Sequence, residues 1–299
     1  MNIDFNTVFI LQSESTEGST IFNDTGGSTG CPHPITTQGS VQHTTTRSKF
    51  GTSCIYFDGT STGKLIIPDH EEFQFGTGDF TIDLWLYPLG NSNAGRVVHK
   101  AETGNQTPYM IYISAGILSF WTSADGGSWA LQNVSMGTLS LNSWQHFAVV
   151  RQGFNFYTFK NGNLISSVTS SHSVWNGGKQ LWIGNGYSTP QPYYGYIEEL
   201  RISNVARWNS SFSPEIEPYA PFTTYSISGV VQEGNLPISR SVRAYNRNTG
   251  VLVGSTISAA SDGTYTIILP TNDPCYVIAV DDNAGVMYNA IIYDWIIPQ

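Results

Sequence analysis

Charge is scarce in this chain: Asp, Glu, Lys and Arg make up 12% of its 299 residues, where about a quarter is usual. Cations are scarcer still, with 13 Lys and Arg against 22 Asp and Glu and a formal net charge of −9. Affinity for a phosphate backbone comes from clustered Lys and Arg, so nucleic acid is excluded as the main partner. No run approaches the roughly 20 apolar residues that a membrane span needs. The opening Met1-Asn2-Ile3-Asp4-Phe5 lacks the basic-then-apolar layout of a signal peptide, so secretory export is not expected. Only three cysteines are present, Cys31, Cys54 and Cys275, and at most one intrachain disulfide can form. Cys31 with Cys54 is the one plausible pair; the alternative is three inert thiols in a chain made in a reducing cytoplasm. None has CxxC or Cys/His spacing, and structural zinc is not expected. Amphipathic helical periodicity and internal repeats are missing as well.

What is present is strand-forming. Hydrophobic residues make up 40% and aromatics 13%, and the remainder is rich in Ser, Thr, Asn and Gly. Such a surface suits close contact with neutral partners such as glycans, or with other subunits. Phe80, Ile82, Leu84 and Leu86 share one parity and Thr81, Asp83, Trp85 and Tyr87 the other, which is the period of a strand with one buried face. Asn161-Gly162 sits between two apolar runs and tolerates the positive φ of a tight hairpin. Strands are predicted over 54–57, 64–67, 80–87, 97–101, 109–114, 117–122, 130–133, 144–151, 155–160, 163–169, 181–184 and 195–203, with turn residues between them. The fold class is therefore all-β, a two-sheet antiparallel sandwich. Up to about residue 45 the Ser/Thr/Gly-rich sequence, with Gly26-Gly27 and Pro32-His33-Pro34, predicts an edge strand and long loops. Around 213–224, Pro214, Pro218 and Pro221 predict a stiff linker between a first domain over 1–212 and a second over 225–299. In the second domain six strands are expected, over 225–231, 241–246, 251–258, 265–269, 276–281 and 287–294.

The segments YFDG at 56–59, FGTGDFTIDLWLYP at 75–88, WQHFAVV at 144–150, FKNGNLI at 159–165 and GYIEELRIS at 195–203 closely resemble the laminin-G-like, concanavalin A-like jelly-roll family. Their order and spacing match over most of 50–210. The tail from Tyr225 to Gln299 is similar to carboxypeptidase-regulatory-like, prealbumin-like β-sandwiches. Together the two modules resemble virion structural proteins of tailed bacteriophages. That resemblance implies a virion location, contacts with capsid or tail proteins, and homo-oligomers.

Glycoside hydrolysis needs two carboxylates about 5–9.5 Å apart, and jelly-roll glucanases place acidic residues two positions apart on one strand face. Asp83 has Thr81 and Trp85 as same-face neighbours, and adjacent Glu198 and Glu199 would point to opposite faces. No dyad lies on one strand, and GxSxG, HExxH and phosphate-binding loops are missing too. No catalytic residue is expected, and His146 reads as a packed strand residue. Tyr196, Glu198, Leu200 and Ile202 share a parity, which aims the Glu198 carboxylate along an apolar face and calls for compensation. The family resemblance implies a structural Ca²⁺ there, held with Asp58-Gly59; the alternative is a wet strand end or an Arg partner. Trp85, Trp144 and Trp182 fall inside strand runs and are read as core or inter-sheet residues.

Sugars stack on aromatic platforms flanked by polar side chains. Trp121, Asp125 and Trp129 around one turn, and Tyr187, Tyr193 and Tyr194 in the loop before the last jelly-roll strand, are the candidates, with core packing or a subunit contact as the other reading. A non-catalytic virion accessory protein is the leading expectation, as head decoration or tail component. A glycan-binding receptor module is the alternative, and a polysaccharide depolymerase comes last.

Overall fold

A computed structural model describes residues 3–26, 32–90, 94–101, 106–221, 225–269, 271–280 and 291–299, with backbone alone over 291–295. The chain divides into two compact units, Met1–Pro221 and Phe222–Gln299. Strands dominate both, and one 3₁₀ turn spans Glu71–Phe73.

The first unit is built from two antiparallel sheets, with strands numbered in chain order. One sheet runs β13 (Asn163–Thr169), β12 (Asn155–Lys160), β11 (Gln145–Gln152), β6 (Phe80–Pro88), β15 (Tyr194–Ser203), β4 (Cys54–Asp58) and β3 (Gln42–Thr44). Its eighth strand, β1 (Thr7–Leu11), pairs with the far half of β15. The other sheet runs β10 (Trp129–Thr138), β9 (Ile117–Ser123), β8 (Tyr109–Ser114), β7 (Ala94–Lys100), β14 (Leu181–Ile183), β5 (Lys64–Ile67) and β2 (Thr36–Gln38). Alternation decides what lies between the sheets. Phe80, Ile82, Leu84 and Leu86 meet Phe147 and Val149 from β11, Leu118 and Phe120 from β9, and Leu181 and Ile183 from β14 in one core. Each such side chain contributes about 1.5–3 kcal/mol on burial.

Three features depart from the strand pattern. β1 is an edge strand within the Ser/Thr/Gly-rich region, yet all five of its residues are buried. In β15, register slips between Glu198 and Arg201, and Glu199 takes φ +51, so one extra residue is inserted. Parity therefore reverses across the bulge: Tyr196 lies outside the core, whereas Ile197, Leu200 and Ile202 lie within it.

The third feature is the course of residues 205–221, which includes most of the expected linker. This stretch packs as a strap across the outer face of the eight-stranded sheet. Thr81 Oγ1 donates to Val205 O at 2.7 Å, Phe212 N donates to Gly162 O at 2.9 Å, and Ile3 N donates to Ala220 O at 3.2 Å. Trp208 and Phe212 stack at 3.9 Å over His146 and Phe159. Backbone partners and aromatic stacking hold the segment, which is why its prolines do not make it a free linker.

The second unit is a smaller antiparallel sandwich. Leu252–Ile257, Ser241–Asn246, Cys275–Val280 and Ile291–Ile296 form a four-stranded sheet. Tyr225–Val230 pairs with Thr264–Leu269, and Ile227, Val242, Ala244, Ile267, Leu269 and Val277 share a core. Residues 287–290 of the expected last strand lie outside the described residues.

Candidate functional site

On the outer face of the eight-stranded sheet lies a buried charge network. Arg201 Nε donates to Asp83 Oδ1 at 2.9 Å and Nη2 donates to Oδ2 at 3.2 Å. His146 Nε2 is 3.4 Å from the same carboxylate, and the strap's Tyr219 donates its hydroxyl to it. The Arg201 guanidinium stacks 3.9 Å from the Tyr219 ring. Burial alone would raise the Asp83 carboxyl, but Arg201 and the His146 hydrogen bond hold it well below the ordinary carboxylate range. With Asp83 and Arg201 both 0% exposed, no substrate reaches this ion pair.

The bulge places both neighbouring glutamates on this same outer side, where simple alternation would have split them. Glu198 pairs with Trp85 across the ladder and accepts the backbone N–H groups of Lys49 and Phe50 at 2.6 and 3.2 Å. Glu199 accepts from Gln12 Nε2 at 3.0 Å and from Tyr219 N at 2.9 Å. Neither wet surroundings nor an Arg partner serves Glu198; it is 1% exposed and bound by main chain. Burial is the largest influence on both, pushing Glu198 up to about 8 and Glu199 up to about 7 from an ordinary 4.5. Because the folded values lie above the unfolded ones, their contribution to stability is fully present below pH 4.5 and is lost as pH rises through 7 and 8. Melting temperature is therefore expected to fall between pH 5 and pH 8 by scanning calorimetry, with a flatter profile for Glu198→Gln. An identical slope in that variant would contradict the assignment.

The implied calcium set does not assemble. Asp58 pairs with Tyr194 and Ile55 with Ile197, so Glu198 lies four residues along β15 from the Asp58 position. At about 3.3 Å per residue that is about 13 Å. Asp58 instead closes its own turn, accepting Thr60 N at 3.0 Å, and Gly59, at φ +74, lies against the Tyr194 ring. Cys54 is a free, buried thiol pushed up to about 12 by burial and by Glu198; its expected partner, Cys31, lies outside the described residues.

A different situation holds on the outer face of the seven-stranded sheet. In β8, Tyr109, Ile111 and Ile113 point into the core, leaving Met110 and Tyr112 outside. In β9, Leu118 and Phe120 point in, leaving Ser119 and Trp121 outside. Cross-strand pairing then aligns Ile66, Trp182, His99, Met110 and Trp121 in one row over five strands. At its open end Trp121 meets Trp129 at 5.0 Å and Tyr112 at 5.8 Å, all three half-buried. Trp121 Nε1 donates to Ser119 Oγ at 2.8 Å, which fixes the indole.

Polar groups gather beside this platform. A register shift at β7 turns Val97 and Val98 inward and leaves Arg96 and His99 outside, 2.8 Å apart through Nη1 and Nε2. Burial and the Arg96 charge hold His99 well below its ordinary value, so it is a neutral acceptor for that guanidinium. Gln191 accepts Arg96 Nε at 2.7 Å and donates to Tyr112 Oη at 3.3 Å. An aromatic platform, a guanidinium, an amide and a phenol thus converge on one side of the sheet.

The six aromatic and acidic candidates separate into distinct places. Trp121 and Trp129 come together as expected. Asp125 builds the turn between them, accepting Gly127 N at 2.8 Å and Ser128 N at 2.9 Å. Tyr187 packs on Trp182 at 4.9 Å, towards the other end of the row. Tyr193 is buried in the inter-sheet core with its hydroxyl donating to Tyr196 O, so no ligand reaches it. Tyr194 is exposed but belongs to the other sheet. Trp85, Trp144 and Trp182 lie outside the main core, against Phe50, Tyr87 and Lys64 respectively. Tyr112, Arg96 and Gln191 were missed; the alternation of β8 contained the signal for Tyr112, while Arg96 depends on the register shift and Gln191 on a loop.

No helix among the described residues is long and apolar enough to cross a membrane. Among solved structures, the fold is similar to the binding domain of Paraclostridial Mosquitocidal Protein 1, with 16% identity, TM-score 0.54, and 97% of this chain and 75% of that chain covered. Domain 4 of AbnA, a GH43 extracellular arabinanase from Geobacillus stearothermophilus in complex with arabinotriose, is 19% identical over 67% of this chain and 93% of that one, at TM-score 0.50. The botulinum neurotoxin type G receptor binding domain is 12% identical over 94% and 73%, at TM-score 0.51. At these identities the likeness concerns the fold. No curated protein matches the sequence. The profile of one family matches residues 57–210, just over half of the chain, and with the two-sheet jelly roll it establishes that the protein belongs to the concanavalin A-like lectin/glucanases superfamily.

Proposed function

We propose that this is a non-catalytic binding protein whose jelly roll takes up glycan on the platform of Tyr112, Trp121 and Trp129. The observation that carries this reading is the convergence of those rings with Arg96 and Gln191 on one sheet face. Sugar C–H faces stack on aromatic rings, while guanidinium, amide and phenol groups fix hydroxyls. A binding role is also in keeping with the similar solved domains, one of which is a complex with arabinotriose. Titration calorimetry on a ligand found by glycan array tests it. Trp121→Ala is expected to weaken binding at least about tenfold, and Tyr194→Ala, on the other sheet, to leave it unchanged. An array without hits, or equal affinity in Trp121→Ala, would remove the reading.

Non-catalysis is part of the same proposal, supported by the burial of Asp83, Glu198 and Glu199. New reducing ends on incubation with host polysaccharide would refute it. We also propose that the chain is a bacteriophage virion component and forms homo-oligomers. The support is the likeness of residues 225–299 to a carboxypeptidase-regulatory-like module following a jelly roll, together with a surface poor in charge. Mass spectrometry of purified particles decides that point.

A further inference from the structure

We propose that His33, His70 and Glu72 form a zinc site that fastens the N-terminal segment to the turn at Glu71–Phe73. The side chain of Asp24 is fully buried. Its carboxylate accepts the backbone N–H groups of Ile10 at 2.9 Å, Gly26 at 2.9 Å and His33 at 3.0 Å. So oriented, Oδ2 also meets His33 Nδ1 at 2.7 Å. A carboxylate is an acceptor, so Nδ1 donates in this bond, and a singly protonated ring has its lone pair at Nε2. That lone pair is in an unusual position. His33 is 6% exposed, and its Nε2 has no hydrogen-bond partner among the described residues. It lies 3.2 Å from Glu72 Oε2, a separation that either a proton on Nε2 or a metal ion held by both atoms accommodates.

The neighbouring groups have the character of zinc ligands. His70 Nδ1 is 3.5 Å from the same Glu72 oxygen, and the two imidazole rings are 4.7 Å apart. One ligand atom from each of the three side chains lies within 4.8 Å of the others. Ligands bound at about 2.0–2.2 Å around a tetrahedral ion sit roughly 3.3–3.5 Å from one another, close to the 3.2 and 3.5 Å found here. Two imidazoles and one carboxylate favour zinc over calcium or magnesium, which take oxygen ligands. The pairing of His33 with Asp24 fixes tautomer and ring orientation as metal-bound histidines require. Phe73, 4.6 Å from the His33 ring, walls one side with apolar surface. The His70 side chain, 40% exposed, opens the other to solvent. His70 Nδ1 also accepts Glu72 N at 3.3 Å, a long bond that metal binding would replace. Cysteine spacing could not reveal this site, because its ligands come from a histidine in an irregular segment and from the cap and first turn of a 3₁₀ element.

The test uses the full chain, stripped with chelator and titrated with Zn²⁺ by calorimetry and thermal shift. One ion per chain is expected, with a melting temperature raised by several degrees over the chelated protein. His70→Ala, which removes a partly exposed ring, is expected to keep the fold and to weaken zinc at least about tenfold, as is Glu72→Gln. Co²⁺ substitution should give the visible bands of a tetrahedral site in the native chain and not in His70→Ala. Equal melting with zinc and with chelator would show that the native chain takes no zinc, and would overturn the proposal. Unchanged affinity in His70→Ala would do the same, by placing the ion elsewhere.

Discussion

Replacing Asp83 with alanine is expected to destabilise the first unit by about 3–5 kcal/mol, on the order of 10 °C in melting temperature for a unit of this size. The variant leaves Arg201, itself 0% exposed, without the carboxylate that receives its Nε and Nη2. It also removes the acceptor of the Tyr219 hydroxyl and so loosens the strap. Urea denaturation followed by tryptophan fluorescence measures the cost. The double variant Asp83→Leu with Arg201→Met is the informative comparison. Exchange of a buried ion pair for apolar side chains of similar volume is often neutral, because desolvation of both charges is avoided. It should therefore recover much of the loss. A cost below about 1 kcal/mol for Asp83→Ala would show that water reaches the guanidinium and that the face is open.

A second large effect is expected at Gly162, which serves two purposes. It occupies the hairpin between β12 and β13 at φ +77, a conformation that side chains with Cβ disfavour, and its carbonyl accepts Phe212 N from the strap. A Cβ built there would lie 1.8 Å from Phe212 O, against backbone that cannot rotate away. Gly162→Ala is therefore expected to cost about 2–4 kcal/mol and to expose the segment over 205–221 to protease. Gly153→Ala is the matched control. Gly153 has φ +58 but nothing within 4 Å of its added Cβ, so only the conformational cost of about 1–2 kcal/mol remains. Equal losses in the two variants would mean that the strap does not bear on the turn.

Much of the platform was legible before the fold was known. Trp121 and Trp129 flank a turn that Asp125 closes, and both the turn and its chemistry are local. Tyr112, not named from the sequence, alternates with Ile111 and Ile113, which point into the core. Tyr193 did not obey its context: a tyrosine in a Pro- and Gly-rich loop looks exposed, yet its ring fills space between the sheets. Loop composition says that the chain turns, and nothing about which side chain the turn drives inward.

By itself the sequence determined the all-β class, the shared parity of Phe80, Ile82, Leu84 and Leu86, and the Asn161-Gly162 hairpin, because strand alternation and turn conformation depend on residues only a few positions apart; that both faces of β6 are buried was not legible there. Tertiary structure alone decided that Glu198 and Glu199 share a face, that residues 205–221 cover Asp83, and that His33 meets His70 and Glu72. Each of those depends on a register shift or on a chain crossing between segments far apart in sequence. Partners across a ladder set the first, and the need to bury charge and aromatic surface sets the second; neither leaves a periodic trace in neighbouring residues.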